Sequence, residues 1–319
     1  MPELAVLRSF RSWTQHERVN FLLTNRIPRR LLTRFMGWYS SIESPTLTRL
    51  SIAIWRVFAD DLDLRESKQR EFKSLQECFI RELKDGARTV DSRRHVAVSP
   101  CDAIVGACGR VEGTRVFQAK GFPYELADLI PDPALQSKYR DGTYVTLRLT
   151  SSMYHRFHAP LDCRVEEITY VSGDTWNVNP IALQRIEKLF CKNERAVVEL
   201  KLAPSGDCDR HVGGGERSIV LVPVAAIGVA SMKFHCLPRP LDLSYRGPHR
   251  LPCSARYHRG DELGYFQQGS TIIVFATAHY RLADGLTTGT RVAMGQALLV
   301  EEGGALQPDA KRPQQGGGV

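Results

Sequence analysis

The chain has 319 residues, 43% of them hydrophobic and 24% charged, which allows one large domain or two smaller ones with an ample core. Its formal charge is +8, with nine arginines, no lysine and four acids in residues 1–60, a bias that suits an anionic partner. Eight cysteines without a CxxC pair argue against a disulfide framework or a zinc site, so free thiols in a reducing compartment and no metal are expected.

The start, Met1-Pro2-Glu3-Leu4, shows no basic segment leading into an apolar one, so no secretory signal is expected. Residues 1–94 read as helical. Leu22, Leu23, Ile27, Leu31, Leu32, Phe35 and Met36 recur at helical spacing between Arg26, Arg29, Arg30 and Arg34. Pro28 marks a helix start or a break between two short helices. Trp13, Trp38, Tyr39 and Trp55 add amphipathic rings, a composition shared by interfacial membrane helices and by a helical subdomain packed on a core. A further amphipathic helix is predicted from Phe72 to Leu83.

From about residue 95 the pattern turns to short β-like runs: Tyr144–Leu149, Arg164–Val171, Ala196–Leu200, Ile219–Val222 and Thr271–Phe275. Gly106, Gly109, Gly113, Gly173, Gly228 and Gly264 read as turns, and a helix is expected from Pro180 to Phe190. The longest uncharged apolar run, between Arg217 and Lys233, is shorter than the ~20 residues of a spanning helix and is interrupted by Pro223 and Gly228, so it reads as buried strand. The segment from Arg239 to Arg259 reads as a solvated insertion. The expected fold is α+β: N-terminal amphipathic helices (1–94), a β-rich catalytic domain (95–305) and a disordered tail (306–319).

Three segments carry reactive groups. Ser99-Pro100-Cys101-Asp102 offers a carboxylate, Tyr154-His155-Arg156-Phe157-His158 two imidazoles, and Gln268-Gly269-Ser270-Thr271 a hydroxyl entering an apolar run. A serine hydroxyl becomes a nucleophile when a base takes its proton and a carboxylate orients that base, and Asp102, His158 and Ser270 supply one group of each type. On residue types alone a serine hydrolase fits. The Gly-x-Ser-x-Gly elbow is absent, however, and each group taken singly reads better as structural. Cys101 reads as a small buried side chain before a nucleophile.

Together these blocks resemble the aspartate motif, the histidine motif and the self-cleavage site of phosphatidylserine decarboxylases. Gln118-Ala-Lys-Gly121, Gly173-Asp174 with Val178-Asn179, Leu189-Phe190 and Asn193-Glu194-Arg195 follow in family order, so the resemblance covers residues from about 70 to 300. The family pattern usually has Leu, Phe or Gly before the Gly-Ser step, where this chain has Gln268. It often has Gly after the aspartate, where this chain has Ala103. Neither change removes a reacting group.

The resemblance implies a pyruvoyl enzyme that decarboxylates phosphatidylserine to phosphatidylethanolamine. Asp102 would orient His158, His158 would deprotonate Ser270, and the Ser270 oxygen would attack the Gly269 carbonyl. Elimination and hydrolysis would then leave a β chain of residues 1–269 and an α chain whose first residue, formerly Ser270, is the pyruvoyl cofactor. The substrate amine would form a Schiff base to that group, with His155 serving the decarboxylation step. The resemblance further implies a homodimer at the cytoplasmic face of the cell membrane, attached peripherally to an anionic lipid surface. A pyruvoyl decarboxylase of another amino-acid-bearing substrate remains open. No recognisable nucleic-acid motif accompanies the basic stripe, so no nucleic-acid partner is expected.

Overall fold

The computed structural model describes residues 28–59, 61–116, 122–202, 217–228, 231–267 and 270–302. The expected elements before Pro28, the Gln118–Gly121 block, Gln268-Gly269 and the tail 306–319 lie outside the described residues. Among the described residues two helices come first, α1 (Arg29–Ser41) and α2 (Pro45–Phe58), then a short α3 (Leu75–Phe79). The β region holds β1 (Val96–Val98), β2 (Ala103–Arg110), β3 (Arg115–Val116), β4 (Tyr124–Glu125), β5 (Thr143–Leu149), β6 (Arg156–His158), β7 (Cys163–Val171), β8 (Arg195–Leu202) and β9 (Ser218–Ala225). It continues with β10 (Ser231–Phe234), β11 (Leu241–Asp242), β12 (Arg250–Tyr257), β13 (Glu262–Phe266), β14 (Ser270–Ala276), β15 (Tyr280–Leu282), β16 (Arg291–Val292) and β17 (Ala297–Glu301). Four short helices lie within it: α4 (Leu126–Leu129), α5 (Pro133–Tyr139), α6 (Pro180–Arg185) and α7 (Leu189–Lys192). The described residues are thus mixed helix and sheet, with more strand than helix.

An eight-stranded antiparallel sheet in the order β12-β7-β8-β9-β14-β5-β2-β16 frames the molecule. Both faces are buried along the central strands β9 and β14, whereas the edge strand β12 alternates between exposed and half-buried residues. Strand alternation sends Ile272, Val274 and Ala276 to one face, where they join Phe157, Phe234 and Phe266 of a four-stranded sheet, β11-β10-β13-β6. Ile273 and Phe275 point to the other face, against Leu126, Leu129, Ala182 and Phe190 of the short helices. Burial on both faces explains why β9 and β14 read as continuous apolar runs.

Local chemistry accounts for the helix starts. Pro28 directly precedes α1, as expected, and Ser44 caps the Leu47 N–H of α2 with Pro45 in its first turn. The helix expected over Phe72–Leu83 shrinks to Leu75–Phe79. Beyond Ile80 the backbone is taken up by the facing segment: Lys68 N–H donates to Glu82 O, and Lys84 N–H to Glu66 O. The helix expected over Pro180–Phe190 splits into α6 and α7, because Lys188 adopts a left-handed conformation between them.

Three expected turn glycines are strand residues instead. Gly106 and Gly109 belong to β2 and Gly264 to β13, where a Cβ on Gly264 would run into the Lys233 carbonyl of β10. Close backbone approach, not turning, requires that glycine. The segment from Arg239 to Arg259 is also no insertion, since Arg250–Tyr257 pairs with β7 as the sheet edge.

Candidate active site

Ser270 opens β14, a central strand paired on both sides. It faces Leu149 of β5 and Ala225 of β9. The preceding strand, β13, ends at Phe266 and belongs to the other sheet. Gln267 is held by its N–H to the Ser231 carbonyl at 3.1 Å. The Ser270 side chain is 0% exposed, and its hydroxyl has no partner among the described residues. An unpaired buried hydroxyl costs roughly 1–3 kcal/mol, so its presence asks for an explanation in reactivity. The hydroxyl of Ser231 and Nε2 of His155 are buried and unpartnered as well.

The two histidines stand at the start and the end of one extended segment of the four-stranded sheet and have different surroundings. His155 is fully buried, with Phe79 at 4.6 Å between ring centroids and Nδ1 donating to Met153 O at 2.8 Å. Desolvation, followed by the positive charge of Arg81, pushes it down to about 3. It is a neutral imidazole whose Nε2 lone pair is free. His158 Nδ1 donates to the Gly260 carbonyl at 2.8 Å, leaving Nε2 to accept from the Tyr154 hydroxyl at 3.0 Å. Burial lowers its pKa too, opposed by the Gly260 hydrogen bond, by Glu262 and by Asp102.

Asp102 lies in a turn docked against the same segment, where His158 N–H donates to Pro100 O at 2.7 Å. Its carboxylate takes a bidentate grip from Arg88, at 2.9 Å to Oδ1 and 2.5 Å to Oδ2, and accepts the Met294 N–H at 2.9 Å. Arg88 in turn pairs with Glu66. Cys101 is fully buried and desolvation raises its pKa well above that of a free thiol, so it is a core residue.

The fold therefore packs the Asp102 turn against the histidine strand and places Ser270 on the sheet face that looks toward that strand. Among the described residues no hydrogen bond joins Asp102 to His158, or His158 to Ser270. Electrostatic influence of Asp102 on His158 remains, without contact. Sequence reading gave no role to Arg88, Tyr154 or the Gly260 carbonyl. Tyr154 lay inside the quoted histidine motif, whereas a lone arginine 14 residues before its carboxylate carries no local signal. No group of three or more candidate metal-ligating side chains occurs among the described residues.

Residues 75–300 match the family model of phosphatidylserine decarboxylase. The chain belongs to the phosphatidylserine decarboxylase family. The matched span runs from α3 into β17, so it contains Asp102, His155, His158 and Ser270 and leaves α1 and α2 outside. Among similar proteins, the phosphatidylserine decarboxylase proenzyme of Anaeromyxobacter sp. (strain K) is 36% identical over 278 residues, covering 85% of this chain and 94% of that protein. The proenzyme of Vibrio cholerae is 32% identical over 279 residues, with 85% and 94% covered. That of Erwinia tasmaniensis is 29% identical over 292 residues, with 88% and 94% covered. The family identity thus rests on nearly the full length of the relatives.

Proposed function

We propose that this chain is a proenzyme that cleaves itself between Gly269 and Ser270 and then decarboxylates phosphatidylserine to phosphatidylethanolamine. The observation that carries this reading is the Ser270 hydroxyl, buried and without a partner among the described residues at the head of a central strand. That environment fits a residue destined to become a pyruvoyl group: the strand behind it is fixed on both sides, and the strand before it belongs to the other sheet. A hydrolase acting on an external ester needs an accessible serine, and Ser270 is fully buried.

His158 is suited to start the cleavage. Its Nδ1 hydrogen is committed to Gly260, so the available lone pair is on Nε2, and Tyr154 holds the ring in place. In the proposed step Nε2 takes the Ser270 proton, Oγ attacks the Gly269 carbonyl, and the peptide becomes an ester. Asp102, fixed by Arg88, favours the imidazolium that forms. The C-terminal piece would be 50 residues long. The pyruvoyl group supplies an electron sink for the pair left behind when the carboxyl departs. His155, a neutral imidazole with Nε2 unpartnered among the described residues, would serve the decarboxylation step by accepting a hydrogen bond from the substrate amine.

A lipid substrate requires contact with a bilayer, and α1 offers one. It buries Thr33 and Ser40 and exposes Leu31, Phe35 and Trp38, one stripe at helical spacing. The Thr33 hydroxyl accepts the Gly228 N–H and meets Thr175, while Arg29 pairs with Asp174 and lies 3.6 Å over the Trp176 ring. Gly228 belongs to the loop after Ala225, the cross-strand partner of Ser270. An apolar stripe flanked by Arg30 and Arg34 is the composition that docks on anionic lipid. No described helix is long and apolar enough to cross a membrane, so attachment would be peripheral. Homodimer formation at the cytoplasmic membrane face belongs to the same proposal.

Intact mass of the purified chain tests the cleavage, and headgroup analysis of extracted lipid tests the substrate. A single unprocessed chain that nevertheless releases carbon dioxide from phosphatidylserine would overturn the reading.

A further inference from the structure

Glu194 is the buried titratable group to which cleavage and docking assign no task. It is 2% exposed, its Oε1 accepts the Tyr170 hydroxyl at 2.7 Å, and its Oε2 has no partner among the described residues. Gly173 holds it from behind: a Cβ there would meet the Asn193 carbonyl carbon at 2.5 Å and the Glu194 nitrogen at 2.7 Å.

Register places this carboxyl in the row of the reacting residue. Arg195 faces Val224 across β8 and β9, and the next N–H along β9, that of Ala225, donates to the Glu194 carbonyl. Ala225 in turn faces Ser270. Glu194, Ala225 and Ser270 thus form one line across three neighbouring strands. Alternation sends all three side chains to the same face, the one that holds Ala196, Ala225, Ile272 and Tyr170. With strands about 4.8 Å apart, the Glu194 and Ser270 Cα atoms are separated by roughly 10 Å. Ala225 puts only a methyl group in the row between them, and Glu194 keeps Oε2 unpartnered among the described residues while Oε1 is held by Tyr170, so this carboxyl is the titratable group of that row.

The reaction needs such a group. Departure of carbon dioxide breaks the bond between the carboxyl and the α carbon and leaves the electron pair on that carbon. One proton must then arrive to complete the new C–H bond. Neither histidine carries one on its available nitrogen, because each Nδ1 hydrogen is committed to a carbonyl and burial keeps each ring neutral. Glu194 is the group that can supply one, being protonated in part at neutral pH. Desolvation pushes its carboxyl up to about 7, helped by Asp242 and opposed by the Tyr170 hydrogen bond and the Arg30 and Arg246 guanidiniums.

Resting on the pyruvoyl reading above, we propose that Glu194 is the proton donor of the decarboxylation. Its carboxyl hydrogen passes to the α carbon of the substrate as carbon dioxide leaves, and water restores it.

Glu194→Gln keeps the shape and the acceptor for Tyr170 but has no proton to transfer. The variant should split into two chains as the native protein does and unfold at a similar temperature. Its kcat should fall about 10²-fold or more, with KM little changed, and the alkaline fall of kcat above neutral pH should vanish. Glu194→Asp should recover part of the loss. A readout independent of turnover is the carboxyl ¹³C resonance in the unprocessed Ser270→Ala protein. One glutamate should titrate near neutrality there, and the signal should be absent from the Ser270→Ala, Glu194→Gln double variant. Native kcat with an unchanged pH profile in Glu194→Gln would overturn the proposal, as would failure of that variant to split. Failure of the native chain to split or to decarboxylate the lipid would instead sink the underlying reading.

Discussion

At the head of β14 polar atoms are buried without partners, whereas on α1 and α2 large apolar side chains stand in water. Ser270, Ser231, His155 and Glu194 each keep an unpaired polar atom inside. Leu31, Phe35, Trp38, Leu50 and Ile54 are each more than half exposed, while Thr33, Ser40 and Thr48 are turned inward. Folding alone would remove both arrangements, since each costs stability. On the proposed reading the first would keep reactive atoms free of competing hydrogen bonds, and the second would keep a surface free for lipid.

The sharpest break of this comparison is at Ser270. Ser270→Ala should abolish both self-cleavage and turnover while leaving a folded chain, read as one species by intact mass. Next come the histidines. His158→Ala should leave the chain uncut, whereas His155→Ala should leave cleavage at least partly intact and lower turnover by about 10²–10⁴-fold. Identical phenotypes in the gel and the decarboxylation assay would erase the division between them.

The helix pair is expected to respond more modestly. Burying one large apolar side chain is worth about 1.5–3 kcal/mol, so replacing Leu31, Phe35 and Trp38 together by serine should weaken binding to anionic vesicles by ~10²-fold or more. Turnover of detergent-dispersed lipid should remain. Equal vesicle binding by the triple variant and the native chain would remove α1 from the docking surface.

A further contrast lies in stability against pH. His155 has a folded pKa depressed to about 3, so the unfolded state binds the extra proton and stability is lost as pH falls from its ordinary value of 6.5 toward 3. Glu194 is raised to about 7 from 4.5, so the folded state holds the proton and stability is lost as pH rises between those values. The two slopes oppose each other between about 4.5 and 6.5, with totals on the order of 5 and 3 kcal/mol. Glu194→Gln should therefore steepen the gain in stability from acid to neutral pH, measured by denaturant unfolding of the Ser270→Ala chain. Parallel curves for the two proteins would show that Glu194 titrates normally.

Much of this molecule was legible in the residue order. β5, β7, β8, β9 and β14 lie where runs such as Tyr144–Leu149 and Thr271–Phe275 put them; β9 and β14 are buried on both faces and read as apolar runs, while β7 mixes polar with apolar positions. The Asp102, His155, His158 and Ser270 blocks stand out because short motifs keep their residue types adjacent. Other features were hidden. The helix end at Phe79 depends on the segment around Glu66, and Gly264 reads as a turn until its neighbour's carbonyl is seen.

By itself the sequence determined the periodicities, the reactive residue types and the family, all of which are local or additive along the chain. Only the tertiary structure decided which groups meet: Arg88 with Asp102, Tyr154 with His158, and Glu194 in the row of Ser270. It also decided that α1 turns its apolar face outward. These are outcomes of register and packing between segments distant in sequence, and a side chain's partner, burial and protonation follow from them.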